Sequence, residues 1–242
     1  MTTVISFVFG TIIGSFLNVV ALRWDSKDFG GRSRCPYCKK TLRWYELIPL
    51  ASFLIQMGRC RNCQTKISYQ YPLVEIFTGL IFVTLPLWVL PVFCIYIVIF
   101  VYDFHYKIIP DELVYSAIVL SFVSRWLSVG TTIDWLAGPI LFAFFASIWL
   151  LSRGRAMGFG DAKLALSVGL LLGAAEGFSS IVLAFWIGAL VSIGYILLTK
   201  SHFLKNSKGL TMKSEVPFAP FIILGAWVSL LFHLDLLHVS LF

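Results

Sequence analysis

The stretch Gly158-Phe159-Gly160-Asp161 places a carboxylate directly after two glycines and opens an apolar run, Ala162 to Ala175. A second carboxylate, Asp103, lies at the end of another apolar run, Leu87 to Tyr102. Acidic residues at membrane boundaries are costly to hold and are usually functional. Two of them at one membrane depth predict an aspartyl catalytic pair, provided that the rest of the chain can bring them together.

The composition predicts an all-α integral membrane protein. Of the 242 residues, 59% are hydrophobic and only 13% are charged, and the mean hydropathy is +0.88. A soluble domain carries roughly 25% charged residues. The apolar runs are continuous, whereas a β-barrel would show alternating segments of about ten residues. The net charge of +7 would suit nucleic acid, but Lys and Arg are also enriched in cytoplasmic loops, so we expect no nucleic-acid partner.

The hydrophobic pattern predicts about eight transmembrane helices. The first is expected to be retained, because no charged region precedes it and Asn18 interrupts it, unlike a signal peptide. Residues 72–102 are too long for one crossing of about 20 residues, so Pro86 and Pro91 are expected to bracket a turn between two helices. The predicted spans are Val4–Leu22, two helices within Pro72–Tyr102, Leu113–Val129, Ile133–Ser152, Ala162–Ala175, Ile181–Thr199 and Val216–Leu237.

The positive charges predict the orientation of these spans. With both termini outside, the cytoplasmic loops are 23–71, 103–112, 153–161 and 200–215. The Lys and Arg in or beside them number ten, one, three and four, which is 18 of the 19, and only Arg125 falls outside. Asp103 and Asp161 then share the cytoplasmic face. We expect three parts: a first helix (1–22), a cytoplasmic zinc-binding loop (23–71) and a seven-helix membrane region (72–242).

Four cysteines in this loop have the spacing of a zinc site. Cys35-x2-Cys38 and Cys60-x2-Cys63 are separated by 21 residues, which predicts tetrahedral coordination by four thiolates. Two disulfides are the alternative, which a reducing cytoplasm disfavours. A loop this polar would depend on the metal for folding energy. Within it, residues 47–57 are apolar but too short to span, so they either lie in the membrane interface or tuck into the helical bundle.

An ordered set of motifs runs from the first predicted helix to the last: Gly14-Ser15-Phe16-Leu17-Asn18-Val19-Val20, Ser33 to Cys38, Leu42 to Pro49, Gly58 to Cys63, Ile67 to Glu75, Asp103 to Asp111, Gly158 to Asp161, and Pro217-Phe218-Ala219-Pro220. This set resembles the type IV prepilin peptidases, which are GxGD-type membrane aspartyl proteases. Two positions depart from the family pattern. Ala219 stands where glycine is commoner, and Leu47 stands where asparagine is usual.

The resemblance implies a function, a location and partners. It implies that Asp103 and Asp161 are catalytic and that five motif residues support them: Gly158, Gly160, Asp111, Pro217 and Pro220. The implied substrates are prepilins or pseudopilins, whose short basic leader is removed at the cytoplasmic face of the bacterial inner membrane. The implied partners are the lipid bilayer and the assembly machinery of a pilus or a type II secretion system.

The residues themselves also suit aspartyl chemistry. One ionised carboxyl takes a proton from water and one protonated carboxyl polarises the scissile carbonyl, because two like charges so close cannot both ionise. A position near a helix N-terminus favours Asp161 as the ionised partner and Asp103 as the acid. The alternative for Asp161 is a plain N-cap. We expect Asp111, which follows Pro110, to be an N-cap, and the two glycines to permit substrate approach and positive φ.

The resemblance also implies a second reaction, N-methylation of the new N-terminus with S-adenosylmethionine. The chain keeps residues of the associated segment, namely Glu46, Gly58 and Glu75. The two glutamates could act as base or as counter-charge to the sulfonium, or they could simply pair with the basic residues of the loop. Two other functions stay open: a proton-coupled transporter that uses both aspartates as a relay, and a non-catalytic zinc-loop scaffold for pilus assembly.

Overall fold

The computed structural model of the chain describes residues 2–27, 30–128, 131–155, 157–200 and 217–236. Over these residues the fold is all-helical, and only two isolated β-bridges interrupt it, Arg34 with Thr41 and Arg59 with Lys66. A 3₁₀ turn covers Trp44–Glu46. The α-helices are α1 (Thr2–Arg23), α2 (Ala51–Ile55), α3 (Gln70–Thr84), α4 (Leu90–Tyr106), α5 (Asp111–Leu127), α6 (Thr132–Ser152), α7 (Phe159–Leu172), α8 (Ala174–Lys200) and α9 (Ala219–Phe232).

Among the described helices, three are long and apolar enough to cross a membrane: α1, α6 and α8 as far as Leu197. Helices α3, α4 and α9 are apolar but shorter. Each predicted span overlaps one helix of at least 14 residues. The predicted ends at Val129, Val216 and Leu237 lie outside the described residues. The helical, apolar character of the chain is therefore confirmed, whereas the eight crossings and their orientation stay a prediction.

The chain divides into two compact units, residues 1–101 and 102–242. In the first unit, α1 and α3 pack antiparallel through small residues. A Cβ on Gly10 would lie 2.9 Å from the Gly79 Cα atom, and a Cβ on Gly14 would lie 2.6 Å from the Thr78 hydroxyl oxygen. Near the other end of the pair, the Gln70 amide donates to the Asn18 side-chain oxygen at 2.9 Å. Small residues allow this close backbone approach between apolar helices.

The second unit packs α5 to α9 together in the same way. A Cβ on Gly169 of α7 would lie 2.7 Å from the Gly138 Cα atom of α6. A Cβ on Gly225 of α9 would lie 2.2 Å from the Ser180 carbonyl oxygen of α8. The hydroxyls of Ser121 and Ser167 are 2.9 Å apart and join α5 to α7. These contacts fix α7, which carries Asp161.

The predicted boundaries of the sixth and seventh spans were wrong. The sixth span was expected at 162–175 and the seventh from Ile181, but α7 ends at Leu172 and α8 begins at Ala174. Only Gly173 separates them, at a φ of +82° that suits glycine. The first amide of α8 donates to the Asp134 carboxylate of α6 at 3.0 Å. This cap comes from a distant part of the chain, so the local pattern did not reveal it.

Arg125, the one cation outside the predicted cytoplasmic loops, completes this junction. Its side chain is buried, and its guanidinium donates to the carbonyl oxygens of Leu170 and Leu171, both at 3.0 Å. The last carbonyls of a helix have no partner within the helix. Arg125 therefore satisfies the end of α7 and holds α5 against it.

Candidate active site

Asp103 lies in the last turn of α4 and is 4% exposed. Its carboxyl accepts a hydrogen bond from the backbone N–H of Ala219, the first residue of α9. The first N–H groups of a helix have no partner within the helix, so this donor is available. The other carboxyl oxygen, Oδ2, is buried and has no hydrogen-bond partner among the described residues.

Asp161 lies in the first turn of α7 and is 7% exposed. It is the third residue of the helix, and its carboxyl accepts a hydrogen bond from the backbone N–H of Gly158. Gly158 is the N-cap residue, so the plain N-cap alternative for Asp161 was wrong. The two carboxyl groups are close enough for the charge of Asp103 to act on Asp161. The ends of α4, α7 and α9 thus bring two buried carboxyls together.

The two glycines of the motif have different surroundings. A Cβ on Gly160 would lie 2.9 Å from the Ile109 Cβ atom, whereas a Cβ on Gly158 would meet nothing nearer than the Asp161 Oδ2 atom at 3.8 Å. Neither glycine has a positive φ, so neither position uses the positive φ that glycine permits. Gly160 is required by packing, and the space beside Gly158 is open.

Asp111 is not an N-cap, contrary to expectation. Pro110 is the N-cap residue and Asp111 is the first residue of α5. Its carboxylate instead accepts from the Lys163 ammonium of α7 at 2.6 Å. Lys163 is itself held between the rings of Tyr115 and Phe159, 4.8 and 5.4 Å from their centroids. Sequence reasoning missed Lys163, because nothing local predicts its partner 52 residues away.

The segment Pro217 to Pro220 starts α9 and so supplies the donor to Asp103. Phe218 is the N-cap residue, and Pro220 is buried in the first turn, where proline needs no partner for a missing N–H. The Phe218 ring packs against Phe185, with centroids 5.1 Å apart. The prolines were expected as supporting residues, but the backbone of Ala219 makes the contact.

The four cysteines of the first unit come from two similar turns. In the first turn, the amide of Cys35 donates to the Lys40 carbonyl, and in the second, the amide of Cys60 donates to the Thr65 carbonyl. Lys39 and Gln64 occupy equivalent positions, and both have a φ of 58°. The same backbone geometry thus presents Cys35 with Cys38 and Cys60 with Cys63.

The four thiols form a cluster that could bind a metal ion. All four sulfur atoms lie within 4.8 Å of one another, and those of Cys35 and Cys63 are 3.8 Å apart. Zn–S bonds of about 2.3 Å in a tetrahedron place sulfurs roughly 3.8 Å apart. All four cysteines are free thiols, so they are not paired as disulfides. A hydrogen bond with the Thr65 hydroxyl lowers the pKa of the Cys63 thiol to about 6, which favours the thiolate that metals require.

The two glutamates of the same unit are each held by backbone donors. Glu46 is buried and accepts from the Arg43 N–H at 2.8 Å. This bond, with help from Lys40, lowers the pKa of Glu46. Glu75 is buried in α3, where it accepts from the Leu50 N–H at 2.8 Å and from the Ser15 hydroxyl. Gly58 has a φ of +66°, and a Cβ there would lie 3.0 Å from the Phe53 ring.

Family models match the chain in two adjacent parts. Residues 8–89 match the bacterial peptidase A24 N-terminal domain, and residues 88–193 match the type IV leader peptidase family. The first match contains all four clustered cysteines, and the second contains Asp103 and Asp161. No solved structure matches the chain.

Curated relatives match almost the whole chain. A prepilin leader peptidase/N-methyltransferase of Bacillus subtilis is 31% identical over 94% of this chain and 93% of its own length. A prepilin leader peptidase/N-methyltransferase of Aeromonas hydrophila is 30% identical over 93% of this chain and 89% of its own length. An Escherichia coli protein named "Type 4 prepilin-like proteins leader peptide-processing enzyme" is 31% identical over 92% of this chain and 91% of its own length. With both family models and these full-length relatives in agreement, the chain belongs to the type IV leader peptidase family.

Proposed function

We propose that this protein is a membrane aspartyl endopeptidase that removes the basic leader from type IV prepilins or pseudopilins at the cytoplasmic membrane face. The observation that carries the proposal is the pair of buried carboxyls, Asp103 and Asp161, in a member of this family. Relatives named for prepilin processing supply the substrate class.

The chemistry divides between the two carboxyls. The ionised member takes a proton from a water molecule, and the oxygen of that water attacks the scissile carbonyl carbon. The protonated member donates its hydrogen to the carbonyl oxygen. As the C–N bond breaks, the base passes the proton that it took from water to the leaving amine, and the re-forming carboxyl group returns the other proton to the acid. We assign the base to Asp161, near the start of α7, and the acid to Asp103. The unpartnered Oδ2 atom of Asp103 is the candidate donor to the carbonyl oxygen.

The predicted orientation fits such a substrate. A prepilin would lie with its apolar helix in the bilayer and its leader in the cytoplasm, so the scissile bond would lie at the level of the dyad. Asp161 is held by the Gly158 N–H, and the space beside Gly158 is open. We therefore propose that the substrate backbone approaches the dyad on the side of Gly158.

We propose that the protein also N-methylates the new N-terminus, the second activity in the name of several relatives. S-adenosylmethionine would supply the methyl group. Glu75 is well shielded from water and is held by two donors, so we assign it the role of accepting the proton of the amine. Glu46, with its lowered pKa, is the counter-charge in this proposal, and Gly58 permits close approach.

The metal of the four-cysteine cluster is proposed to be structural zinc. The donor set and the sulfur separations suit tetrahedral coordination. Residues 30–71 contain a single acidic residue and eight Lys or Arg residues, so ion pairs within this segment alone cannot stabilise its fold. The zinc would hold the two cysteine turns together.

One assay tests both reactions. The purified protein in detergent is incubated with a synthetic prepilin peptide and S-adenosylmethionine, and mass spectrometry identifies the products. Cleavage after the basic leader together with a methylated N-terminus is the expected result. A cleaved but unmethylated product would restrict the protein to peptidase activity, and an intact peptide would contradict the proposed function. Nothing in the comparisons supports a proton-coupled transporter.

A further inference from the structure

Helix α2 and the turn after it present a group of exposed apolar side chains. Leu54, Ile55 and Met57 are 73%, 70% and 88% exposed. Phe53 on the same helix packs inward, with its ring 5.7 Å from that of Tyr69 and against Gly58. The segment is thus anchored on one face and leaves three large apolar side chains uncovered on the other. Apolar groups in such an arrangement indicate a binding surface.

The attachment of this segment fixes its level relative to the membrane helices. The Leu50 N–H, at the start of α2, donates to the Glu75 carboxylate at 2.8 Å. Glu75 lies five residues into α3, roughly 7.5 Å along the helix from its first residue. Glu75 also accepts from Ser15 of α1, a helix long and apolar enough to cross a membrane. Leu50 is therefore held beside the outer part of this helix pair, roughly 7.5 Å inside the start of α3.

The backbone of Leu50 shows that this attachment is specific. Leu50 has a φ of 58° and Met57 a φ of 50°, which are unfavourable for side chains of this size. Such conformations persist only where surrounding contacts hold them. The bond to Glu75 at one end and the packing of Phe53 near the other hold α2 at this level.

The charges next to the apolar side chains are positive. Residues 30–71 contain eight Lys or Arg residues and one acidic residue, Glu46, which is buried. Arg59 and Arg61 are exposed and, with Ile55, Gln56, Met57 and Gln64, line one shallow depression. Arg61 is already oriented, 5.2 Å over the Tyr45 ring. The chemistry that matches this depression is an anionic phosphate group beside an apolar chain.

We propose that residues 50–61, the α2 segment, dock on the membrane surface, with Leu54, Ile55 and Met57 inserted below anionic lipid headgroups and Arg59 and Arg61 on their phosphates. Apolar side chains flanked by cations bind the headgroup and acyl boundary in this way. A basic prepilin leader would be repelled by the same cations, which disfavours the substrate as the occupant. The inference does not depend on the peptidase activity.

The test uses the full-length protein in lipid nanodiscs. Hydrogen exchange of the backbone amides of residues 51–61 is measured in nanodiscs of phosphatidylcholine and in nanodiscs that also contain phosphatidylglycerol. We expect these amides to exchange several-fold more slowly with phosphatidylglycerol present. Equal exchange in the two lipid compositions would overturn the proposal, whether the segment is protected in both or in neither.

Two variants and a matched control assign the effect to residues. Arg59→Gln with Arg61→Gln is expected to abolish the difference between the lipids, and Leu54→Ser with Met57→Ser is expected to lower protection in both. The control Arg32→Gln with Lys39→Gln removes two exposed cations elsewhere in the same loop and is expected to keep the difference. Loss of the difference in the control alone would contradict the assignment. The metal content of each variant reports whether its loop is folded. If a variant does not fold, the comparison of the two lipid compositions with the unaltered protein still tests the proposal.

Discussion

Each aspartate of the proposed dyad receives a backbone donor where a helix begins. Ala219, the first residue of α9, donates to Asp103, and Gly158, the N-cap of α7, donates to Asp161. One donor each is too few to stabilise two buried negative charges, and like charges so close cannot both ionise. Two carboxyls with so few donors suit the single shared proton that the proposed peptidase chemistry requires.

The two glycines of the motif should respond differently to alanine. Gly160→Ala places a Cβ 2.9 Å from the Ile109 Cβ atom, and such overpacking costs about 1–3 kcal/mol. We expect a lower melting temperature and weaker prepilin cleavage. Gly158→Ala meets no atom nearer than 3.8 Å, so its melting temperature should fall less than that of Gly160→Ala, by no more than the weaker N-cap preference of alanine allows. Equal destabilisation by both variants would contradict the conclusion that Gly160 is tightly packed and that the space beside Gly158 is open.

Asp111 should be dispensable for cleavage. Its carboxylate is 63% exposed and pairs with Lys163, and exposed ion pairs are worth about 0–1 kcal/mol. Asp111→Asn keeps an oxygen that accepts from the ammonium, so we expect substantial cleavage of a prepilin peptide by the folded variant. Complete inactivity with an unchanged melting temperature would transfer the catalytic role from Asp103 to Asp111.

At the scale of elements, the cysteine loop depends on pairing two similar turns. Each turn closes on a backbone hydrogen bond across five residues, from Cys35 to Lys40 and from Cys60 to Thr65. Neither turn has a hydrophobic core of its own, and the two turns meet at the cluster of four sulfur atoms. A metal at this point would supply the folding energy.

Serine at Cys35 or Cys60 should therefore unfold the loop. We expect less than stoichiometric zinc by elemental analysis and faster proteolysis within residues 30–71. Cys94→Ser is the matched control, because Cys94 lies in α4 and outside the cluster, and it should keep full metal content. A protein purified without chelator that contains no zinc would refute the metal assignment.

Glu75 should matter more for methylation than for cleavage. It holds Leu50 and contacts Ser15 in the first unit, whereas Asp103 and Asp161 belong to the second. Glu75→Gln removes the negative charge but keeps one acceptor, so we expect methylation of the processed peptide to fall further than its cleavage. Mass spectrometry gives both yields from one reaction, and an equal fall in both would count against the assigned role.

The sequence pattern predicted elements better than their junctions. The apolar runs located the helices, and the order of motifs paired Asp103 with Asp161. The junction between α7 and α8 was missed because Asp134 caps Ala174 from 40 residues away. The N-cap role of Asp111 was wrong because α5 begins at Asp111 itself, with Pro110 as the N-cap, and its carboxylate pairs with Lys163 of α7. Contacts such as Ala219 to Asp103 depend on tertiary packing, which no local pattern contains.

The whole molecule combines apolar helices with a strongly asymmetric distribution of positive charge along the sequence. In the predicted orientation, 18 of the 19 Lys and Arg residues lie in or beside cytoplasmic loops. The remaining one, Arg125, donates hydrogen bonds to the last carbonyl oxygens of α7. This orientation predicts that the loops next to Asp103 and Asp161 and the loop with the four cysteines face the cytoplasm.

The central claim, that Asp103 and Asp161 together cleave the substrate, is tested most directly by prepilin cleavage with Asp103→Asn and Asp161→Asn. Asparagine keeps the size of each side chain and the acceptor for its backbone donor, so both variants should remain folded and membrane-inserted. Loss of one member of an acid–base pair costs roughly 10²- to 10⁴-fold in rate. We expect each variant to lose cleavage while Asp111→Asn, assayed beside them, retains it. Robust processing by either Asp103→Asn or Asp161→Asn would contradict the account.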